Sequence, residues 1–304
     1  MKLLITGATG TIGRVLCQQL LEQGDEVRIL TRRAGPSPIV GTSAWQWNPL
    51  TELPPSASLE GIDAIVHLAG EPVAQSRWTE EVKRRIRDSR VIGTRNLVEG
   101  IKAMDVRPRV LVGASAVGFY GSRGDERLTE SSPEGIGFLP DVCREWELSY
   151  EPVEQIGVRL ALIRIGVVLS RSGGVLEKML LPFRLGLGGR LGSGRQWFPW
   201  IHIDDLIGLI QFALTNDQIR GVLNGASEGS VTNEQFTKCL AQILNRPAVF
   251  GVPEPALRLL AGELASVVLA SQLVVPQAAL EVGYNFKFKQ VSAALHDIID
   301  SERT

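Results

Sequence analysis

Three glycines, Gly7, Gly10 and Gly13, recur every three residues between an apolar run, Leu3 to Thr6, and an amphipathic stretch, Arg14 to Leu21. Strand, glycine-rich turn and helix in that order make a receptor for phosphate. Glycine lets the backbone bend sharply and lets a diphosphate approach main-chain N–H groups at the helix N-terminus, where the macrodipole favours negative charge. A dinucleotide is the expected ligand, with Gly7, Thr9, Gly10, Thr11, Ile12 and Gly13 as candidate contacts. The next apolar run ends Ile29-Leu30-Thr31-Arg32-Arg33. An Asp or Glu at this distance would accept hydrogen bonds from the adenosine ribose hydroxyls, whereas an Arg accommodates a 2′-phosphate. Thr31 followed by Arg32 points to NADP, with Arg32 as the phosphate ligand because a guanidinium can pair with two phosphate oxygens at once. The alternative is that the two arginines only solvate a strand end.

The spacing from Thr6 to Gly13 is T-G-x-x-G-x-x-G, and further runs follow it: Asp63 to Gly70 (DAIVHLAG), Val91 to Leu97 (VIGTRNL), Ala114 to Gly121 (ASAVGFYG) and Trp200 to Asp205 (WIHIDD). In these runs, which span most of the chain, the sequence resembles the extended, sugar-nucleotide-epimerase-like branch of the short-chain dehydrogenase/reductase superfamily. Ala69-Gly70-Glu71-Pro72, Arg77-Trp78, Leu181 to Gly189 and Gly192-Ser193-Gly194 are similar to one atypical subgroup, the "epimerase family protein" group. Cyanobacterial and plastid members of that group carry a cell-division-inhibitor label.

The resemblance implies that Leu68, Ala69, Gly70 and Glu71 lie beside the dinucleotide. It also implies that Ser115 is the serine that polarises a substrate oxygen. Relatives of the extended branch place an asparagine just before the V-x-G-T run, and here Ser89-Arg90 stands there, making Arg90 a candidate cofactor contact. Equally, Arg90 reads as one more charge on a basic helix. The tyrosine and lysine that such enzymes use for proton transfer, spaced Tyr-x-x-x-Lys, do not occur. No lysine lies between Lys102 and Lys178, and Tyr150 is followed four residues later by Glu154. Tyr120 and Cys143 remain as candidate catalytic groups, although a thiol needs a depressed pKa and exposure to react, and a small packed cysteine is the simpler reading. Where sugar-nucleotide enzymes place an Arg-Asp pair before the V-H-V-D-D strand, this chain has Phe198-Pro199. A UDP-sugar is therefore not the expected substrate; Arg184, Arg195 and Trp197 are candidate contacts for an anionic, partly apolar ligand. His67, His202 and His296 are scattered without ligand spacing, so no metal site is expected and His67 reads as a satisfied strand-end residue.

The elements that must position these groups alternate. Strand-like runs at Leu3 to Thr6, Glu26 to Leu30, Ala64 to Leu68, Val110 to Ala114 and Leu160 to Ile165 are separated by helical runs over Thr11 to Gln23, Glu80 to Met104 and Asp141 to Ile156. Such alternation predicts an α/β, Rossmann-like doubly wound parallel sheet, with the ligand along the carboxyl ends of the strands. Residues 1–165 are read as the NADP-binding domain. Residues 166–304, with helical runs over Asp204 to Thr215 and Asn233 to Leu244, are read as a small, partly helical substrate domain interleaved with the first.

With 304 residues, 44% hydrophobic, the chain can bury a large core. Its 32 basic and 33 acidic residues give a net charge of −1, which offers no general attraction to nucleic acid or anionic lipid. Cys17, Cys143 and Cys239 are odd in number and far apart, unlike a disulfide framework or thiolate metal site. A reducing cytoplasm is the expected setting, or the plastid stroma for a chain trimmed of a transit segment, and no membrane span is expected. The sequence thus favours an NADP-dependent reductase or epimerase acting on a small molecule. The alternative is a non-catalytic NADP-binding regulator, of cell division for example, read by a protein partner.

Overall fold

A computed structural model describes residues 1–74, 76–171 and 173–300. Seven strands form one parallel sheet: β1 (Lys2–Thr6), β2 (Glu26–Thr31), β3 (Ser43–Gln46), β4 (Ala64–His67), β5 (Val110–Ala116), β7 (Arg159–Ile165) and β11 (Gly221–Gly225), in the order β11-β7-β5-β4-β1-β2-β3. Between them the short strands β6 (Arg127–Leu128), β8 (Val167–Leu169), β9 (Trp197–Phe198) and β10 (Trp200–His202) precede β11, with β12 (Val231–Thr232) and β13 (Leu273–Val274) after it. The sheet is doubly wound, and the order reverses at β1, so that a crevice opens at the carboxyl ends of β1 and β4.

Helices α1 (Thr11–Glu22), α2 (Ser56–Leu59), α3 (Glu80–Lys102), α4 (Phe138–Tyr150), α5 (Gly174–Arg184), α6 (Ile203–Thr215) and α7 (Asn233–Ile243) are followed by α8 (Glu254–Ala261), α9 (Ala265–Leu269), α10 (Gln277–Glu281) and α11 (Val291–Asp300). One face of the sheet packs against α1 and α6 through Leu16, Leu20, Leu206 and Ile210; the other meets α3 and α4 through Leu97, Ile101, Trp146 and Tyr150. Both faces are covered, which is why Leu3, Leu4 and Ile5 are all buried and β1 reads as a continuous apolar run rather than an alternating one.

Helix α4 starts at Phe138, ahead of the expected Asp141, and gives way to a 3-10 turn over Glu151–Ile156. Pro140 lies in its first turn, where the N–H that proline lacks would have had no helical partner, so the helix can begin before the proline. Beyond Gly166 the chain returns to the main sheet with α6 and β11, while Phe183, Trp200, Phe236, Phe288 and Leu295 gather a separate cluster from α5, α7, α11 and the segments between them. Among the described residues no helix is long and apolar enough to cross a membrane.

Candidate functional site

The three glycines of the first turn do different work. Gly7 has φ +70°, and a Cβ there would lie 2.6 Å from the carbonyl carbon of Leu68; at Gly13 it would lie 2.4 Å from the Gly7 oxygen. Both positions are closed by close packing of backbone on backbone. Gly10 is extended, at φ −76°, and a Cβ would meet only the Gly7 oxygen, at 3.3 Å. Its missing side chain leaves space open in front of α1. Gly10 is the N-cap of that helix and provides no side-chain cap, whereas α3 and α7 are capped by Thr79 and Thr232. The first-turn N–H groups of Thr11, Ile12 and Gly13 therefore face the space beside Gly10 with no intrahelical acceptor. Exposed Thr9 fixes the turn by accepting a hydrogen bond from Arg14 Nε at its carbonyl, 2.9 Å. Gly173, just ahead of α5, lies over Thr11: a Cβ there would come within 2.3 Å of the Thr11 hydroxyl.

At the end of β2, Thr31 Oγ1 accepts from Arg33 N at 3.2 Å. Arg32 lines an open cavity of about 480 Å³ with Gln46, Asn48 and Glu52, the last three contributed by β3, an edge strand absent from the sequence reading, and the turn after it. At the end of β4, Leu68 N donates to Thr6 O and Ala69 N to Thr6 Oγ1, both at 3.2 Å, holding the Leu68-Ala69-Gly70 backbone beside the glycine turn. Glu71 N donates to Ser89 Oγ at 3.0 Å. His67 is buried between Thr6 Oγ1 at 2.6 Å and Thr94 Oγ1 at 3.1 Å, and burial pushes its pKa down to about 3, so the ring is a neutral link between strand and helix. Open space, unspent helix N–H groups and an arginine at the far strand end fit a phosphorylated dinucleotide. Among the described residues no group of side chains could hold a metal ion.

The corner where β5, β7 and α4 meet is built otherwise. Ser115 and Arg164 stand opposite each other in register and turn toward α4. Ser115 Oγ donates to Glu147 Oε1 at 2.5 Å, and Arg164 grips the same carboxylate through Nε at 2.9 Å and Nη2 at 2.8 Å. Arg164 Nη1 also donates to the Tyr120 hydroxyl at 2.9 Å, which donates in turn to Asn224 Oδ1 at 2.7 Å. The guanidinium lies 3.5 Å over the Phe119 ring. Three groups singled out in the sequence meet here. The Ser115 hydroxyl proton points into an ion pair instead of being free to polarise a substrate. Tyr120 is fully buried and spends its hydroxyl on Asn224 and Arg164, with its pKa raised by burial. Cys143 is buried, and loss of solvation together with the charge of Glu147 pushes its thiol up to about 12, which favours the neutral thiol.

Glu147 and Arg164 were missed by the sequence reading. The signal was available: Glu147 stands four residues after Cys143, the spacing of the absent Tyr-x-x-x-Lys pair, and Arg164 interrupts the apolar strand run Leu160 to Ile165. The three substrate candidates do not line this corner either. Arg184 is exposed at the last turn of α5, where its carbonyl accepts from Arg246 Nε at 2.9 Å, and Arg195 is exposed as well. Trp197 Nε1 donates to Asp125 Oδ1 at 2.8 Å, so its polar edge ties two loops together. Arg90, by contrast, does reach the crevice: it lies against Gly70, where a Cβ would be 3.2 Å from the guanidinium carbon.

Comparison with known proteins shows which chains this one is similar to. The NAD dependent epimerase/dehydratase family matches residues 3–139, and a domain of unknown function matches residues 252–298. The chain is 42% identical to the epimerase family protein SDR39U1 homolog, chloroplastic, of Arabidopsis thaliana, over 98% of this chain and 87% of that protein. Among solved structures it is similar to human epimerase family protein SDR39U1 (isoform 2) with NADPH, at TM-score 0.90 and 35% identity over 99% of both chains. It is also similar to a nucleoside-diphosphate sugar epimerase from Corynebacterium glutamicum, at TM-score 0.79 and 38% identity, over 97% of this chain and 57% of that one.

Proposed function

The chain belongs to the epimerase family, as an atypical extended short-chain dehydrogenase/reductase, and from that membership we propose that it binds NADP(H) along the carboxyl ends of β2, β1 and β4 and uses it in reduction or epimerisation of a small molecule. The observation that carries the binding reading is the open space at Gly10 beside the uncapped N-terminus of α1, with Arg32 at the adjacent strand end. In this reading the N–H groups of Thr11, Ile12 and Gly13 receive the diphosphate, Arg32 receives the 2′-phosphate, and the Leu68-Ala69-Gly70 backbone runs beside the ribose. The NADPH in the human relative's structure supports the same choice of cofactor. A bound nicotinamide supplies or takes up a hydride at C4. The chain's own part is to hold that ring at the ends of β4 and β5 and to exclude water there, with the segment before α5 lying over Thr11.

One observation favours a second reading, a cofactor-dependent binding protein without turnover. The groups that stand where proton transfer would be expected, Ser115, Cys143 and Glu147, are spent on an ion pair or held neutral. Anaerobic incubation of the protein with NADPH and a metabolite extract separates the two. Sustained oxidation of NADPH beyond one equivalent per chain supports the enzyme, whereas saturable one-to-one binding without oxidation supports the binding protein. Absence of NADPH binding sinks both.

A further inference from the structure

Helix α8 buries none of its residues, although its sequence, EPALRLLA, is mostly leucine and alanine. Leu259 and Leu260 stand 77% and 68% exposed. Polar contacts hold the helix instead: Arg77 donates to the carbonyls of Leu259 and Leu260, and Lys83 of α3 pairs with Glu263, just beyond α8, at 2.6 Å. On α5, Leu181 and Leu185 lie four residues apart on the solvent side, opposite buried Leu176, Leu180 and Phe183. Between the two helices, segment 185–192 runs beside segment 246–252, with Val252 N donating to Arg190 O at 2.9 Å and Gly192 N to Val252 O at 2.8 Å. Leu187, Val249 and Phe250 are exposed on that pair of segments. Lys178 of α5 donates to Ala74 O, in the same loop as Arg77, so α5 and α8 flank one loop. The exposed apolar side chains therefore share one face, and a contiguous apolar face marks an interaction site.

The charges on that face select its occupant. The whole chain carries a net charge of −1, yet Lys178, Arg190, Arg195 and Arg246 are all exposed on these segments and form no ion pair among the described residues. Of the carboxylates on the same segments, Glu254 is paired with Arg258 and Glu263 with Lys83, which leaves Glu177 against those cations. The face is apolar at its centre and locally basic. A second copy of the chain, docked face to face about a two-fold axis, would set the same cations opposite one another. An anionic lipid surface meets both demands, because its headgroups neutralise arginine and lysine while its acyl boundary accepts leucines from separate helices and loops. We propose that this face seats the protein on an anionic lipid bilayer, with the leucines of α8 and α5 at the acyl boundary and the cations among the headgroups. The chain then lies on the bilayer without crossing it, and no helix among the described residues could span one. This seating is independent of whether the crevice holds NADP(H).

The test is co-flotation of the full chain with vesicles of phosphatidylcholine alone and of phosphatidylcholine with about 30 mol% phosphatidylserine. Binding to the anionic vesicles should exceed binding to the neutral ones by about ten-fold or more and should weaken as salt is raised. The double variant Leu259→Ser, Leu260→Ser should bind anionic vesicles about ten-fold less well while its circular dichroism and thermal unfolding match wild type, because neither side chain is buried in the fold. A second double variant, Arg195→Gln with Arg246→Gln, should lose affinity for anionic vesicles only, and it decides the matter if the leucine variant does not fold. Failure of the wild type to float with anionic vesicles overturns the proposal, as does binding that neither variant weakens. Equal binding to neutral and anionic vesicles also overturns it, since the cations would then play no part. A dimer in sedimentation equilibrium that the leucine variant disperses, found in place of vesicle binding, would assign the face to a second copy of the chain.

Discussion

At the β1–α1 turn the groups beside the open space are main-chain N–H groups ordered by three glycines, whereas at the β5–α4 corner the groups that face one another are side chains from separate elements, Ser115, Glu147 and Arg164, with Tyr120 behind them. The turn can hold any dinucleotide whose diphosphate fits the space, and its backbone geometry is independent of what chemistry follows. The corner depends on residue types. Its carboxylate, Glu147, is neutralised by an arginine on β7, Arg164. The turn leaves space open beside the N-terminus of α1, while the corner is closed by a buried ion pair.

If the corner is structural, breaking it should give the largest loss of stability. Arg164 and Glu147 side chains are only 5% and 13% exposed, so Arg164→Ala strands a buried carboxylate. Removing one partner of such a pair costs about 3–5 kcal/mol, which denaturant unfolding would read directly. A loss below about 1 kcal/mol would place the pair with surface ion pairs and undo its structural role. At the turn the contrast runs the other way. Gly10→Val should cost little stability, because the Gly10 backbone is ordinary and its Cβ would press only on the Gly7 oxygen at 3.3 Å, yet NADPH titration should show affinity reduced by more than about 100-fold through steric exclusion of the diphosphate. Gly13→Ala should instead destabilise the protein itself, since its Cβ would collide with the Gly7 carbonyl. Retained binding in Gly10→Val would show that the cofactor lies elsewhere.

Arg32 offers a smaller, graded effect. Loss of charge-assisted contacts to a phosphate should cost roughly 1.5–3 kcal/mol in NADPH affinity, about ten- to a hundred-fold, with NADH affinity little changed. Gln46, Asn48 and Glu52 complete the cavity beside it, and Glu52 keeps that cavity from being purely cationic. Equal loss for both dinucleotides would mean that Arg32 supports the strand end rather than reading the 2′-phosphate.

What could be read from the sequence follows the same division. The glycine turn, the alternation of strands and helices, Arg32 and the Leu68-Ala69-Gly70 strand end lie in short contiguous runs, where spacing alone carries the geometry. Glu147 and Arg164 come from α4 and β7, 17 residues apart, and meet only because β5 and β7 pair with Ser115 opposite Arg164. No local pattern encodes that meeting. The short edge strand β3 was missed for another reason: Ser43-Ala44-Trp45-Gln46 has no apolar alternation and is held in place by pairing with β2. Arg184, Arg195 and Trp197 were grouped because they are close in sequence, but two of them point outward at separate turns and the third is tied to Asp125.

The least perturbing test of the comparison uses the wild-type thiols. Cys143 is buried and its thiol is pushed up to about 12, so at pH 8 the thiolate is on the order of one molecule in ten thousand. Cys239 is only partly buried, and its pKa is raised by burial alone. Iodoacetamide at pH 8 should therefore label Cys239 before Cys143, as mass spectrometry of the digested protein would read. Saturating NADPH should not accelerate labelling of Cys143. Because the folded thiol titrates above the ordinary value of 9.0, any weak reactivity of Cys143 should keep rising well beyond pH 9 instead of levelling off there. Cys143→Ser should leave NADPH affinity within about two-fold, since a neutral hydroxyl replaces a neutral thiol without altering charge. Rapid labelling of Cys143 that saturates below pH 8 would mean an activated thiolate next to Glu147. The corner would then be a chemical site in its own right, and the contrast with the glycine turn would no longer hold.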